Sequence, residues 1–370
     1  MKKTVFILLL LIGGVGGFYL GYLKIRAKPK EKISVQKTKP EVQGVEKVPI
    51  VSRSVFVPYW SLDQEKIDIS GYDKIIYFGI TASYNGINKS EQGYSNLRKF
   101  NSIIPEKKEK LLALRMINED INDSVLSNIR IQEVLIRETL ELLSEYEYDG
   151  LVLDLEISSL LNKEITSQIN DFVQKFYTAV SADYRKLYLT VYGDNFYRGR
   201  PYDVEFLAKK SDGIMIMAYD LHKSRGEPGP NFPYDTGTKY QYDFKLMISD
   251  FLTKVPKEKI TVIFGYFGYD WLVDEKKRPI RPAEALSFKE IKSKFLDKCE
   301  FKDCVSKRDK ISQESEVNYV ISAPVPDEQN IYRIDYHIVW FEDEESIKVK
   351  TSFLQEQGIS SVSYWAYGYF

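Results

Sequence analysis

From residue 55 onward, short apolar runs alternate with amphipathic helical stretches, and this rhythm restricts the fold of the 370-residue chain more than any other feature. The runs lie at 55–60, 74–80, 110–116, 150–156, 187–192, 213–219, 260–266 and 359–365, eight strand candidates in all. Between several of them, residues 122–146, 164–184, 202–210, 240–254 and 343–357 carry apolar side chains at the spacing of a helix with one buried face. In the first of these, Leu126, Ile129, Ile136, Leu140 and Leu143 share a face that Glu133 alone interrupts. Strands separated by helices build βαβ units and a parallel sheet. Eight such units fit a closed (β/α)8 TIM barrel, in the α/β class, better than an open doubly wound sheet. No G-x-G-x-x-G or P-loop follows a strand, which removes the nucleotide-binding folds as leading candidates. The rhythm breaks between 268 and 337, where a charged helical piece at 287–299 and extended segments at 317–323 and 331–338 predict a small α+β insertion between strands seven and eight.

The fourth strand has two unlike faces. Leu151, Leu153, Leu155 and Ile157 fall on one side; Gly150, Val152, Asp154 and Glu156 fall on the other. The apolar side suits the underside of a helix shell, and the other side ends in two carboxylates. In a parallel barrel the C-terminal strand ends are where chemistry sits. Spacing alone also allows two solvated acids at a strand end. Carboxylates two residues apart lie about 6 to 7 Å from each other along a strand. When both are ionised they repel, which raises one pKa, as a proton donor at neutral pH requires.

Residues 4–23 contain no charge, follow Lys2 and Lys3, and are long enough to cross a bilayer as a helix. No small-x-small cleavage site follows, so residues 1–23 read as an uncleaved transmembrane signal anchor at a cell membrane. Gly13, Gly17 and Gly21 share one helix face and would permit weak dimerisation. Basic residues flank both ends of the span, so charge leaves its orientation open. Residues 24–53 hold no aromatic and read as a flexible linker; the barrel is expected over 54–370. A net charge of -1 gives no global field for nucleic acid. With two cysteines and two histidines, a four-cysteine zinc site is excluded, and His222 and His337 lack zinc-finger spacing. Cys299 and Cys304 are five apart, compatible with a disulfide or with two surface thiols.

Asp149-Gly150-x-x-x-Asp154-x-Glu156 resembles the D-G-x-D-x-D-x-E signature of the family 18 glycoside hydrolases, the chitinase family. Met217-Ala218-Tyr219-Asp220 matches the M-x-Y-D of that family's strand six, and Trp365 stands where it places a tryptophan at the end of strand eight. Gly265-Tyr266-Phe267-Gly268-Tyr269-Asp270-Trp271 and His337-Ile338-Val339-Trp340-Phe341-Glu342-Asp343 are similar to a bacterial branch that includes spore-cortex and cell-wall hydrolases. The resemblance implies hydrolysis of β-1,4-linked N-acetylglucosamine in chitin-like or peptidoglycan glycans, without metal or organic cofactor. It implies that the substrate's own acetamide attacks, with Glu156 as general acid, Asp154 holding the acetamide nitrogen and Tyr219 its oxygen. Trp365 would floor the sugar site. Met217 and Tyr192 face inward by parity, Asp220, Tyr266 and Trp271 are rim candidates, and of Tyr59 and Trp60 the resemblance favours Tyr59. Tyr188 also faces inward and suits core packing as well as sugar contact. The chain departs from the signature at Val152, where many members carry a further acid, and at Leu155, where an aromatic is usual. A carbohydrate-binding barrel without catalysis, or an envelope interaction module, are the rival readings.

Overall fold

A computed structural model describes residues 47–63, 67–105, 107–324 and 332–370. Its centre is a closed barrel of eight parallel strands. The first seven are β1 (Ser52–Pro58), β2 (Lys74–Ser83), β3 (Glu109–Met116), β4 (Gly150–Leu155), β5 (Lys186–Tyr192), β6 (Gly213–Met217) and β7 (Ile260–Gly265). Five inserted strands follow: β8 (Phe267–Val273), β9 (Glu284–Ser287), β10 (Lys302–Arg308), β11 (Ser315–Pro324) and β12 (Tyr332–Phe341). The last barrel strand is β13 (Ser361–Trp365), and β1 pairs with both β2 and β13 to close the ring.

Side-chain parity sorts the core into two layers. Leu151, Leu153 and Leu155 join the large apolar layer between strands and helices, while Val152 packs inside the barrel with Phe56, Ile76, Leu111, Ala113, Met215 and Ile263. Asp149 and Gly150 secure the lower end of β4. The Asp149 carboxylate accepts from the Lys110 N–H at 2.7 Å. A Cβ at Gly150 would lie 2.6 Å from the Lys186 carbonyl oxygen, so only glycine lets β4 and β5 approach there. Lys74, 2.9 Å from the Tyr188 hydroxyl and paired with Glu109 at 3.1 Å, sits at the starts of β2 and β3. Tyr188 therefore plugs the barrel floor, away from the C-terminal ends of the strands.

Asparagine and aspartate set the helix starts. Asn118, Asn128, Asn162, Asp203, Asp243 and Asp343 each accept a hydrogen bond from a backbone N–H of the following helix. Asn128 explains a departure from the expected single helix over 122–146. It caps Ile129–Glu145 and so divides that helix from Glu119–Ser127.

The inserted sheet is antiparallel, ordered β9-β8-β12-β11-β10, and its strands run from Phe267 to Phe341, wider than the expected 268–337. Cys299 and Cys304 form a disulfide within it. The insertion is tied to the barrel by a fully buried ionic triad. Lys350, on the helix Glu344–Glu356, contacts Glu342 and lies 2.8 Å from Glu314. Glu314 in turn accepts from the backbone N–H groups of Asn231 and Phe232.

Among the described residues no helix is long and apolar enough to cross a membrane. The expected span at 4–23, with Gly13, Gly17 and Gly21, lies outside the described residues. The end of the expected linker does not hang free. Lys47 pairs with Glu356 at 2.9 Å, the Val51 N–H donates to Ser360, and residue 52 already belongs to β1.

Candidate active site

The end of β4 is braced from three sides. The Asn122 side-chain amide donates to the carbonyls of Met116 and Glu156 at 2.8 and 2.9 Å. The buried Tyr202 hydroxyl donates to the Leu155 carbonyl and accepts from the Ile157 N–H, both at 2.7 Å. These bonds fix the backbone on both sides of Glu156. The Glu156 carboxylate accepts from the Tyr192 hydroxyl at 2.8 Å. Tyr192 is held in turn by the Arg200 guanidinium, 4.0 Å from its ring centre, which Asp194 anchors.

Asp154 sits deeper, 3% exposed, with Thr190 Oγ1 donating to one of its oxygens at 2.6 Å. Burial, and then the charge of Glu156, push the Asp154 carboxyl up to about 7; Thr190 and Arg115 pull the other way. The repulsion expected from the two-residue spacing is present, and the carboxyl it lifts is that of Asp154.

Both acids open into a cavity of about 720 Å³ at the C-terminal ends of the strands. Met217, Tyr219, Asp220 and Trp365 line it with them. Trp365 lies edge-on to Phe78 at 4.5 Å, and Phe56 and Trp60 complete this aromatic floor. Tyr219 packs against Phe267, and burial raises its hydroxyl well above the usual range. Asp220 has a positive φ of 63°, a conformation aspartate tolerates, and accepts from Tyr269 at 2.7 Å. Ala285, Leu286, Ser287 and Glu290 of the insertion supply one wall. Among the described residues no group of three or more His, Cys, Asp or Glu could hold a metal ion.

Residues 54–369 match the family described as Glycosyl hydrolases family 18. The chain belongs to glycosyl hydrolase family 18. Among its relatives is a cortical fragment-lytic enzyme of Bacillus anthracis, 22% identical over 255 residues, which are 67% of this chain and 53% of that protein. The chain spans about half to two thirds of the length of the curated relatives it matches. The fold is similar to the crystal structure of the Bacillus cereus spore cortex-lytic enzyme SleL, with a TM-score of 0.65 and 20% identity over 88% of this chain and 72% of that one. It is also similar to human YKL-39, described as a pseudo-chitinase with retained chitooligosaccharide binding, at a TM-score of 0.68 and 17% identity over 85% and 92%.

Three residues expected in this family 18 cleft lie elsewhere. Tyr59 begins a 3-10 turn, Tyr59–Ser61, where strand parity no longer applies; it packs on the outer apolar layer while Trp60 lines the cavity. Tyr266 packs outward against Tyr364, Phe288 and Phe370. Trp271 is fully buried in the insertion, its indole N–H donating to the Gly226 carbonyl at 3.0 Å. Tyr192 touches Glu156 and is not among the cavity-lining residues. Conversely, Arg115, Phe78 and Phe267 line the cavity without having been expected. Parity carried through from Ala113, Ile76 and Ile263 points each of them inward. Tyr269 gave no such signal, because the chain leaves the barrel before reaching it.

Proposed function

We propose that this chain is a glycosidase that cleaves β-1,4-linked N-acetylglucosamine glycans, chitin-like or peptidoglycan, by substrate-assisted retaining catalysis. The observation that carries the reading is the Asp154–Glu156 strand end facing the Trp365 floor across one cavity. In this reading the acetamido N–H of the bound sugar donates to the Asp154 oxygen that Thr190 leaves unoccupied. That bond favours ionised Asp154, and Glu156 is left as the proton donor. Glu156 then protonates the leaving oxygen while the acetamide carbonyl attacks the anomeric carbon. Tyr219 steadies the acetamide oxygen, and Asp154 balances the positive ring that forms. Water later opens that ring with Glu156 acting as base, and the anomeric configuration is retained.

Residues 1–23 would hold the domain to a cell membrane, with the barrel on the extracytoplasmic side where such glycans occur. The Cys299–Cys304 disulfide suits an oxidising compartment. A second reading, a sugar-binding barrel without turnover, draws on Val152, an apolar residue packed inside the barrel beside Asp154.

Glu156→Gln separates the two. Turnover on N-acetylglucosamine oligomers and on peptidoglycan is expected to fall by about 10² to 10⁴ while oligosaccharide binding persists. Wild-type protein that binds these glycans but releases no product would establish the binding-only reading.

A further inference from the structure

Among the described residues that line the cavity, Arg115 is the only basic one, in company with Asp154, Glu156, Asp220 and Glu290. It stands on β3 in register with Asp154 on one side and Thr81 on the other. Four acids and one cation would ordinarily pair, yet among the described residues Arg115 makes no ion pair. Its guanidinium lies 4.7 Å from the centre of the Phe78 ring, and its one hydrogen bond is a long contact of 3.4 Å to Thr81 Oγ1. The Thr81 hydroxyl is itself committed to Glu91 at 2.7 Å. Arg115 Nε is buried and has no hydrogen-bond partner among the described residues. A buried donor left without a partner is costly unless something completes it. Phe78, which carries it, also carries Trp365, so a sugar lying on the Trp365 floor comes within the reach of these donors.

We propose that Arg115 is a specificity residue that receives a carboxylate borne by the glycan. This rests on the glycosidase reading of the cleft and narrows it, because chitin offers no carboxylate. The substrate it selects is an N-acetylhexosamine glycan in which alternate sugars carry an acidic ether, as the 3-O-lactyl group of muramic acid does. Guanidinium and carboxylate match in shape and pair through two parallel N–H bonds. A neighbouring groove of about 520 Å³ carries Lys223 and Arg225 beside Glu227, together with Arg198 and Lys239, which pair with Asp194 and Asp309, and Lys223 lies over the ring of Tyr192, the residue that holds Glu156.

Binding measured without turnover tests this. The full chain with Glu156→Gln is titrated with a soluble, peptide-free glycan of alternating N-acetylglucosamine and N-acetylmuramic acid. The control is the same glycan with its lactyl carboxylates reduced to alcohols. The acidic glycan is expected to bind at least ten-fold tighter, with adding Arg115→Gln erasing the preference and Arg115→Lys restoring part of it. Equal binding of the two glycans, binding of neither, or a preference that survives Arg115→Gln would overturn the assignment. Should Arg115→Gln unfold in a thermal melt, the Arg115→Lys protein and the comparison of the two glycans on Arg115 itself decide the matter. Turnover is scored separately with wild-type protein. Failure to cleave either glycan would sink the glycosidase reading while leaving the carboxylate preference to stand or fall on binding.

Discussion

One hydroxyl, that of Thr190, faces Asp154 from the neighbouring strand β5. It donates to a single oxygen and so fixes which edge of the carboxylate looks into the cavity. Replacing it with valine removes a donor that holds the Asp154 pKa down. The pair then keeps its proton to higher pH, so the alkaline limb of the kcat/KM profile of Thr190→Val is expected to move upward by roughly half to one unit. The rate should also drop about ten-fold, since Asp154 is free to turn. A limb that stays in place would remove Thr190 from the protonation of the pair. The same carboxyl links activity to stability. Its ordinary value is 3.8 and its folded value about 7, so between these pH values the native state binds a proton that the unfolded chain does not. The associated stability is complete below about pH 4 and lost as the pH rises through 7. Urea unfolding should therefore show Asp154→Asn gaining on the wild type by a few kcal/mol, in order of magnitude, between pH 4 and pH 8. A constant difference between the two proteins would contradict it.

The helix Glu344–Glu356 delivers the cation of the buried triad, and through it the insertion is locked to the loop after β6. Glu342 is pushed up to about 8, chiefly by burial, with Glu314 adding to the rise and Lys350 opposing it. Lys350→Met leaves two buried glutamates without a counter-charge and is expected to cost about 3 to 5 kcal/mol. Glu342 escapes by binding a proton, so the loss should be smaller at pH 5 than at pH 8 in denaturant melts. A pH-independent loss would place the contribution of Lys350 in packing alone. At this scale the reach of the sequence is also clear. A period of two assigns inner and outer faces wherever a strand is regular, which is how Asp154, Glu156, Met217 and Trp365 could be placed together. It fails where backbone geometry changes without a change in composition, as at the 3-10 turn that swaps Tyr59 for Trp60. Trp271 was misplaced because the Gly265–Trp271 motif carries two strands of different sheets, β7 and β8. Tyr269 and the wall at Ala285–Glu290 depend on how the insertion folds back, which side-chain alternation does not encode.

At the scale of the whole molecule, residues Glu46–Phe370 form one compact unit. The segment just before β1 is already pinned to the final helix by Lys47–Glu356 and by the Val48 N–H to Gln355. A chain beginning at Glu46 is therefore expected to unfold within about 2 °C of the full-length protein and to retain its turnover on soluble oligomers. A fall of more than about 10 °C in the midpoint would show that the preceding residues contribute to the fold.

The ring closes through β1 and β13, where Ser54 and Val362 meet although 308 positions separate them in the chain. Contacts so remote in sequence form late, since the intervening polypeptide must first be gathered. β13 also ends in Trp365, which lines the cavity. Closing the ring and completing the cavity therefore depend on the same strand. A polypeptide interrupted anywhere upstream of β13 would have an open sheet and a cavity without Trp365.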